Sequence, residues 1–258
     1  MNVMELLRLD GKVALVTGGS RGLGLQIAEG LGEAGASLAI TARKEADLAE
    51  AEAHLRDRGV RCLAVRCDIT NPDEVQAAVD RVMSEIGALD ILVNNAGATW
   101  GARLEELPLE AWHKVVDTNV NGTFYVSRAA ALAMIRQGRG GRIINVASIA
   151  GLRGTDPRIL HTLPYNASKG AVVNFTRDLA AKLAEHEINV NCICPGFFPT
   201  KMSRVVLDRV GDLVRESVPL HRLGGPEDLK GLAVLLASPA SAYITGQVIA
   251  VDGGATAI

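Results

Sequence analysis

A chain of 258 residues that is 48% hydrophobic and 22% charged, with a formal net charge of -2, can bury a large core without disulfides or structural metal. That charge balance advertises neither a nucleic-acid backbone nor an anionic membrane as partner. No apolar run approaches the ~20 residues that span a bilayer, and Met1 to Lys12 has neither a basic leader nor a long apolar centre, so a soluble, cytoplasmic protein is expected.

In chain order, Val13 to Val16 reads as a first strand, followed by the glycine-rich TGGSRGLG and a helix from Leu23 to Glu33. Gly18, Gly22 and Gly24 allow the tight turn and close backbone approach that a pyrophosphate needs, and the helix start adds free N–H groups and a positive dipole end. A second strand, Ser37 to Thr41, ends in Thr41-Ala42-Arg43, where NAD binding wants an acid for the ribose 2′-hydroxyl. Arg43 and Arg21 instead offer two guanidinium groups, which suit the 2′-phosphate of NADP(H).

A helix from Ala46 to Arg58 and a strand from Arg61 to Val65 lead to Asp68, which is suited to the adenine edge. Asn71-Pro72-Asp73-Glu74 then opens a helix running to Ile86. The fourth strand, Ile91 to Asn94, exits through Asn94-Asn95-Ala96-Gly97, where small residues let backbone approach a cofactor. The pattern from Glu110 to Arg136 predicts one long helix with Asn119, a poor helix former, inside it. The strand Ile143 to Val146 ends near Ser148. A helix from Tyr165 to Glu185 then places Tyr165 and Lys169 one turn apart on the same face.

A sixth strand, Asn189 to Ile193, exits through Pro195-Gly196. Gly225-Pro226-Glu227-Asp228 signals the last helix, and Val248 to Val251 the last strand. Cys62, Cys67, Cys192 and Cys194 form no C-x-x-C pair and read as buried free thiols, so no metal site is expected. Strand–helix alternation with continuously apolar strands predicts one doubly wound α/β domain over residues 1–258, with a seven-stranded, mostly parallel sheet covered by helices on both faces. Two segments, 149–164 and 197–219, follow strands and should overhang the carboxyl edge of the sheet, where open α/β folds bind ligands.

Taken together, TGGSRGLG, NNAG, DTNVNGTF, INVASIAG, YNASK, INVNCICPGFFPT and ITGQVIAVDGG resemble the short-chain dehydrogenase/reductase family over Leu9 to Gly254. The resemblance implies a Rossmann fold and hydride transfer with NADP(H) between a ketone and a secondary alcohol. It also implies a catalytic tetrad of Asn119, Ser148, Tyr165 and Lys169. The cofactor set that goes with this reading is Gly18, Ser20, Arg21, Gly22, Leu23, Gly24, Arg43, Asp68, Ile69, Asn95, Ala96, Gly97, Tyr165, Lys169, Pro195, Gly196, Phe198 and Thr200. Thr200 is expected to meet the nicotinamide carboxamide.

The chemistry suits these roles. Free tyrosine has a pKa of about 10, and lowering it by about three units corresponds to roughly 4 kcal/mol. Lys169 and an oxidised nicotinamide are expected to supply that lowering. Ser148 would donate to the carbonyl oxygen, and Asn119 would hold a kink and a water beside Lys169. Ser148 and Tyr165 are further apart in sequence than in many family members, and the extra residues carry Arg153, Asp156, Arg158 and His161. A sugar acid or polyol, as in gluconate 5-dehydrogenases, is the expected substrate. A 3-oxoacyl thioester, running past Phe197, Phe198 and Met202, is the alternative, and a non-catalytic NADP(H)-binding sensor is the alternative of another class. The family also implies a homo-oligomer, a tetramer before a dimer, paired through the helices of 110–136 and 165–185.

Overall fold

A computed structural model of the protein describes residues 2–258. Seven strands form one sheet in the order β3-β2-β1-β4-β5-β6-β7: β1 Val13–Thr17, β2 Ser37–Ala42, β3 Cys62–Arg66, β4 Ile91–Asn94, β5 Gly141–Val146, β6 Ile188–Pro195 and β7 Val248–Val251. Every neighbouring pair is parallel, where the sequence predicts mostly parallel pairing. Side chains alternate between faces along each strand. Ala14 and Val16 join a core with α2 (Gly22–Glu33), α3 (Glu45–Asp57) and α9 (Lys230–Ala237). Val13 and Leu15 join the opposite core with α4 (Pro72–Glu85), α6 (Gly122–Gln137) and α7 (Leu163–Leu183). Both faces are therefore covered, which explains strands without polar alternation.

The helix signals are met unevenly. At α4 the Asn71 side chain accepts from the backbone N–H of Asp73 and Glu74, with Pro72 in the first turn. The predicted helix over 110–136 is interrupted: α5 spans Leu109–Val116, a π-helical turn covers Asp117–Asn121, and α6 follows. The extra residue in that turn displaces Asn119 from the regular ladder. Helix α7 starts at Leu163, two residues earlier than predicted, with Pro164 in its first turn.

Two helices escape the sequence reading. The capping box of Asn2 and Glu5 starts a short α1, Val3–Leu6, and α8, Arg204–Glu216, lies inside the 197–219 segment. The latter bends at Val210, whose φ of -135° is not helical, and Gly211 further weakens the periodic signal. The signal at 225–228 produces a turn instead of a helix start. Asp228 accepts from the Gly225 N–H at 2.6 Å and pairs with Arg222, and α9 begins at Lys230.

Candidate active site

Strands β1 and β4 are neighbours, and the chain winds outward from them in opposite directions, so a crevice opens above their carboxyl ends. The glycine turn forms its floor. Gly18 has φ +63°, and a Cβ there would lie 3.0 Å from the Ala96 Cα. A Cβ at Gly24 would lie 2.3 Å from the Gly18 carbonyl oxygen. The first turn of α2 thus rests directly on backbone, and no side chain hydrogen-bonds its N-terminal cap. That is a cradle of the kind a pyrophosphate fits. The turn is pinned to β4: Asn95 Nδ2 donates to the carbonyls of Thr17 at 3.0 Å and Gly18 at 3.2 Å. Thr17 Oγ1 accepts in return from the backbone N–H of Asn95 and Ala96.

At the adenosine end, both expected arginines are held by carboxylates. Arg21 Nη1 lies 3.0 Å from Asp47 and Arg43 Nη1 3.9 Å from Asp68. Asp68 is itself fixed by Thr70, whose N–H and hydroxyl both donate to Oδ1. A polar hollow of about 330 Å³ lies beside Arg43, lined also by Thr70, Lys114, Thr118 and Asn121. The sequence reading named none of these four partners. Thr118 and Asn121 come from the π-helical turn, which no local spacing announces.

The four candidate catalytic residues converge from three elements. Asn119 is buried in the π-helical turn. Its amide accepts from the Ala98 N–H at 2.7 Å and donates to the Ala98 carbonyl and to Ser168 Oγ, both at 2.9 Å. Ser168 Oγ then donates to the Tyr165 carbonyl at 2.8 Å. This path, in which Ser168 was not foreseen, ties the exit of β4 to the first turns of α7. All the polar atoms of the Asn119 side chain are engaged by protein, so its position is set by structure as well as by the kink.

Ser148 follows β5 and caps a short 3-10 turn, Ile149–Gly151. Its Oγ accepts from the Ala150 N–H at 3.1 Å, which leaves the hydroxyl proton free to donate. A Cβ at Gly151 would fall 2.5 Å from the Lys169 carbonyl carbon. That close approach lets the turn lie against α7 beside Tyr165.

Lys169 departs from expectation. Its buried ammonium donates to the Val146 carbonyl at 2.8 Å and sits 5.6 Å from the centroid of the Tyr165 ring. Burial lowers its pKa to about 8. Tyr165 moves up, chiefly through burial, while a hydrogen bond with Ser148 pulls the other way. Desolvation is the largest influence on this phenol.

Tyr165 and Ser148 share the wall of a cavity of about 830 Å³, with Pro195 and Gly196 from the end of β6 and Leu23 from α2. Segments 149–164 and 197–219 supply most of the remaining wall. They are fastened together, since Arg209 Nη2 of α8 donates to the Ile159 carbonyl at 3.0 Å.

A family model described as "Enoyl-(Acyl carrier protein) reductase" matches residues 18–256. The chain is 38% identical to a 3-oxoacyl-[acyl-carrier-protein] reductase of Vibrio cholerae over 248 residues, 96% of this chain and 98% of that one. It is 39% identical to a gluconate 5-dehydrogenase of Gluconobacter oxydans over 258 residues, 99% of each. The crystal structure of a gluconate 5-dehydrogenase from Burkholderia cenocepacia, in complex with NADP and tartrate, superposes with a TM-score of 0.94 at 37% identity over 100% of both chains. The chain belongs to the short-chain dehydrogenase/reductase family. It is an oxidoreductase.

Within this short-chain dehydrogenase/reductase, the expected cofactor residues divide by what their side chains do. Gly18, Gly22, Gly24, Ala96 and Gly97 present backbone to the crevice region, and Ser20 sits in the same turn. Thr200 reaches across to it, its Cγ2 being 3.5 Å from where a Gly22 Cβ would stand. The Thr200 hydroxyl, however, shares hydrogen bonds with Ser203 ahead of α8. Asn95 acts as a staple for the turn rather than as a free ligand group. The Ile69 and Phe198 side chains are buried in the two cores, so any contact to a nucleotide from Ile69 falls to its backbone. Arg158 is withdrawn as well, because its guanidinium is bound to Asp156 at distances from 2.6 Å and it does not line the cavity. All four cysteines are buried and free, and burial pushes the Cys62 and Cys67 thiols up to about 12, far from thiolate chemistry.

Proposed function

We propose that this enzyme reduces a ketone to a secondary alcohol with NADPH, and that Tyr165 delivers the proton. The observation that carries the reading is the shared wall of Tyr165 and Ser148 beside the glycine cradle. NADPH, when bound, supplies the hydride. The backbone of Gly18 to Gly24 would hold its pyrophosphate, and Arg21 and Arg43 its 2′-phosphate, exchanging Asp47 and Asp68 for a stronger charge. Ser148 turns its hydroxyl proton, shared with Tyr165, to the substrate carbonyl as a hydrogen bond where negative charge develops. Tyr165, kept protonated by burial, breaks its O–H bond and transfers that proton to the same oxygen. Lys169, over the ring, stabilises the phenolate left behind.

For the substrate, the inner wall favours an extended apolar body. Ile149, Ile159 and Phe198 are buried there, with Leu160, Val206 and Met202 further out. This supports a ketone of the 3-oxoacyl type over a sugar acid, whose hydroxyls need polar partners along their whole length. The sugar-acid reading keeps one supporting observation, the presence of Arg153 and His161 on the outer wall. An NADPH-consumption screen over 3-oxoacyl thioesters, diketones and keto sugar acids separates the two; turnover confined to keto sugar acids contradicts the apolar reading.

The whole chain is taken as one catalytic unit that works as a homo-oligomer in the cytoplasm. No helix among the described residues is long and apolar enough to cross a membrane. Phe124 of α6 is 47% exposed and packs edge-on against Phe175 of α7 at 6.5 Å, an aromatic face that suits pairing of these helices between two copies. Light scattering should return a tetramer, and a monomer at working concentration contradicts the pairing.

A further inference from the structure

Three of the five arginines in the two segments above the sheet are held by neighbouring carboxylates. Arg158 is taken by Asp156, Arg204 pairs with Asp208 at 3.8 Å, and Arg215 pairs with Asp212. Two arginines remain over. The Arg153 side chain makes no hydrogen bond or ion pair among the described residues, while its backbone N–H donates to the Ile149 carbonyl at 3.3 Å. Arg209 makes only the hydrogen bond to the Ile159 carbonyl. Both line the cavity that holds Ser148 and Tyr165, and both are exposed, whereas Ile149, Ile159 and Phe198 of the same wall are buried. The cavity wall therefore combines buried apolar side chains with two exposed guanidinium groups.

One carboxylate, Asp156, also lines this wall. It is not a free counter-charge. Arg158 grips it through Nε and Nη2, the Arg158 N–H adds a third donor, and these contacts hold its pKa down to about 2. Arg209 is oriented by the Ile159 carbonyl and keeps most of its five N–H donors for a ligand. Two guanidinium groups beside apolar surface attract an anion more strongly than the same groups in open water, because the effective dielectric is lower.

We propose that Arg153 and Arg209 form an anion-recognition site on the wall of the substrate cavity, and that the substrate is a ketone bearing a carboxylate or phosphate remote from its carbonyl. This rests on the carbonyl-reductase reading above and narrows its substrate class.

The test compares matched pairs. One is a medium-chain oxo acid and its methyl ester; the other is a 3-oxoacyl-CoA and the corresponding N-acetylcysteamine thioester, which lacks phosphate. kcat/KM with NADPH should favour the charged member of at least one pair by about tenfold or more, the scale of one charge-assisted hydrogen bond. A preference in the first pair identifies carboxylate as the source, and in the second phosphate. Arg153→Gln and Arg209→Gln should each reduce the ratio and together bring it to unity, while Arg204→Gln, off the cavity wall, should leave it intact. Calorimetric binding of the same ligands to the NADPH-loaded Tyr165→Phe protein gives a readout independent of turnover. If no member of either pair is reduced, the carbonyl-reductase reading fails, and the binding ratios still test the anion site. Equal values for charged and neutral members in both measurements, or a ratio that survives the double substitution, overturn the proposal.

Discussion

The nucleotide side of the crevice, Thr17 to Gly24 with Asn95 to Gly97, is closed by backbone contacts so tight that a Cβ at Gly24 would meet a carbonyl oxygen at 2.3 Å. The substrate side, 149–164 and 197–219, mixes buried apolar with exposed polar side chains, and the two segments meet through the Arg209–Ile159 hydrogen bond and the packing of Ile149 with Val218. The first region tolerates one geometry and serves a ligand of constant shape. The second has room to vary its loops, so chains with the same cradle can act on different carbonyl compounds. The difference teaches where to look for each property: cofactor binding in positions that exclude side chains, and substrate choice in positions that display them.

That contrast can be broken experimentally, most severely at the cradle. Gly24→Val should weaken NADPH binding by about a hundredfold, because α2 must move off the turn to admit the side chain; titration of cofactor fluorescence reads this directly. Unchanged affinity would mean the turn is looser than described.

Lys169→Met should lower kcat by about a hundredfold while leaving the fold intact. Its stability signature has a defined sign. The lysine pKa falls from 10.5 to about 8 on burial, so between these values the unfolded chain holds a proton that the folded one has shed. Stability of the wild type relative to Lys169→Met should rise with pH across this window, by about 3 kcal/mol in all. Below the window the cost of burying the ammonium stays constant. Denaturation midpoints of the two proteins across this range check it.

Asn119→Ala leaves the Ala98 N–H and carbonyl unpaired beside Ser168. It should cost about 2 kcal/mol of stability and lower kcat more than it raises KM. Arg43→Asp, at an exposed position, should make the smallest change, a shift of about tenfold in the NADPH-to-NADH preference, measured as a ratio of kcat/KM values. An unchanged ratio would remove Arg43 from phosphate recognition.

Much of the fold was legible because the signals were local. Apolar runs such as Val13 to Val16 and the cap at Asn71 depend on a few adjacent residues, and both appear where expected. What escaped depends on contacts distant in sequence or on departures from regular periodicity. The π-helical turn at 117–121 keeps a helical pattern on both sides, so one long helix was predicted. Helix α8 hides behind Val210 and Gly211. The glycine turn and the residues Asn119, Ser148, Tyr165 and Lys169 stand out in the sequence, but their hydrogen-bond partners do not. Ser168 as the link between Asn119 and Tyr165, and Val146 as the acceptor for Lys169, emerge only when α7 packs against β5 and the π-helical turn. Burial of both Tyr165 and Lys169 was equally hidden, because spacing along a helix gives proximity but not desolvation.

The central claim is that the Tyr165 hydroxyl gives its proton to the carbonyl oxygen. Tyr165→Phe removes one oxygen from a side chain already packed in place, so NADPH affinity, read by fluorescence titration, should stay within about twofold of wild type, while single-turnover ketone reduction should fall by about a thousandfold. Reduction at the wild-type rate in the NADPH-loaded variant would contradict the claim.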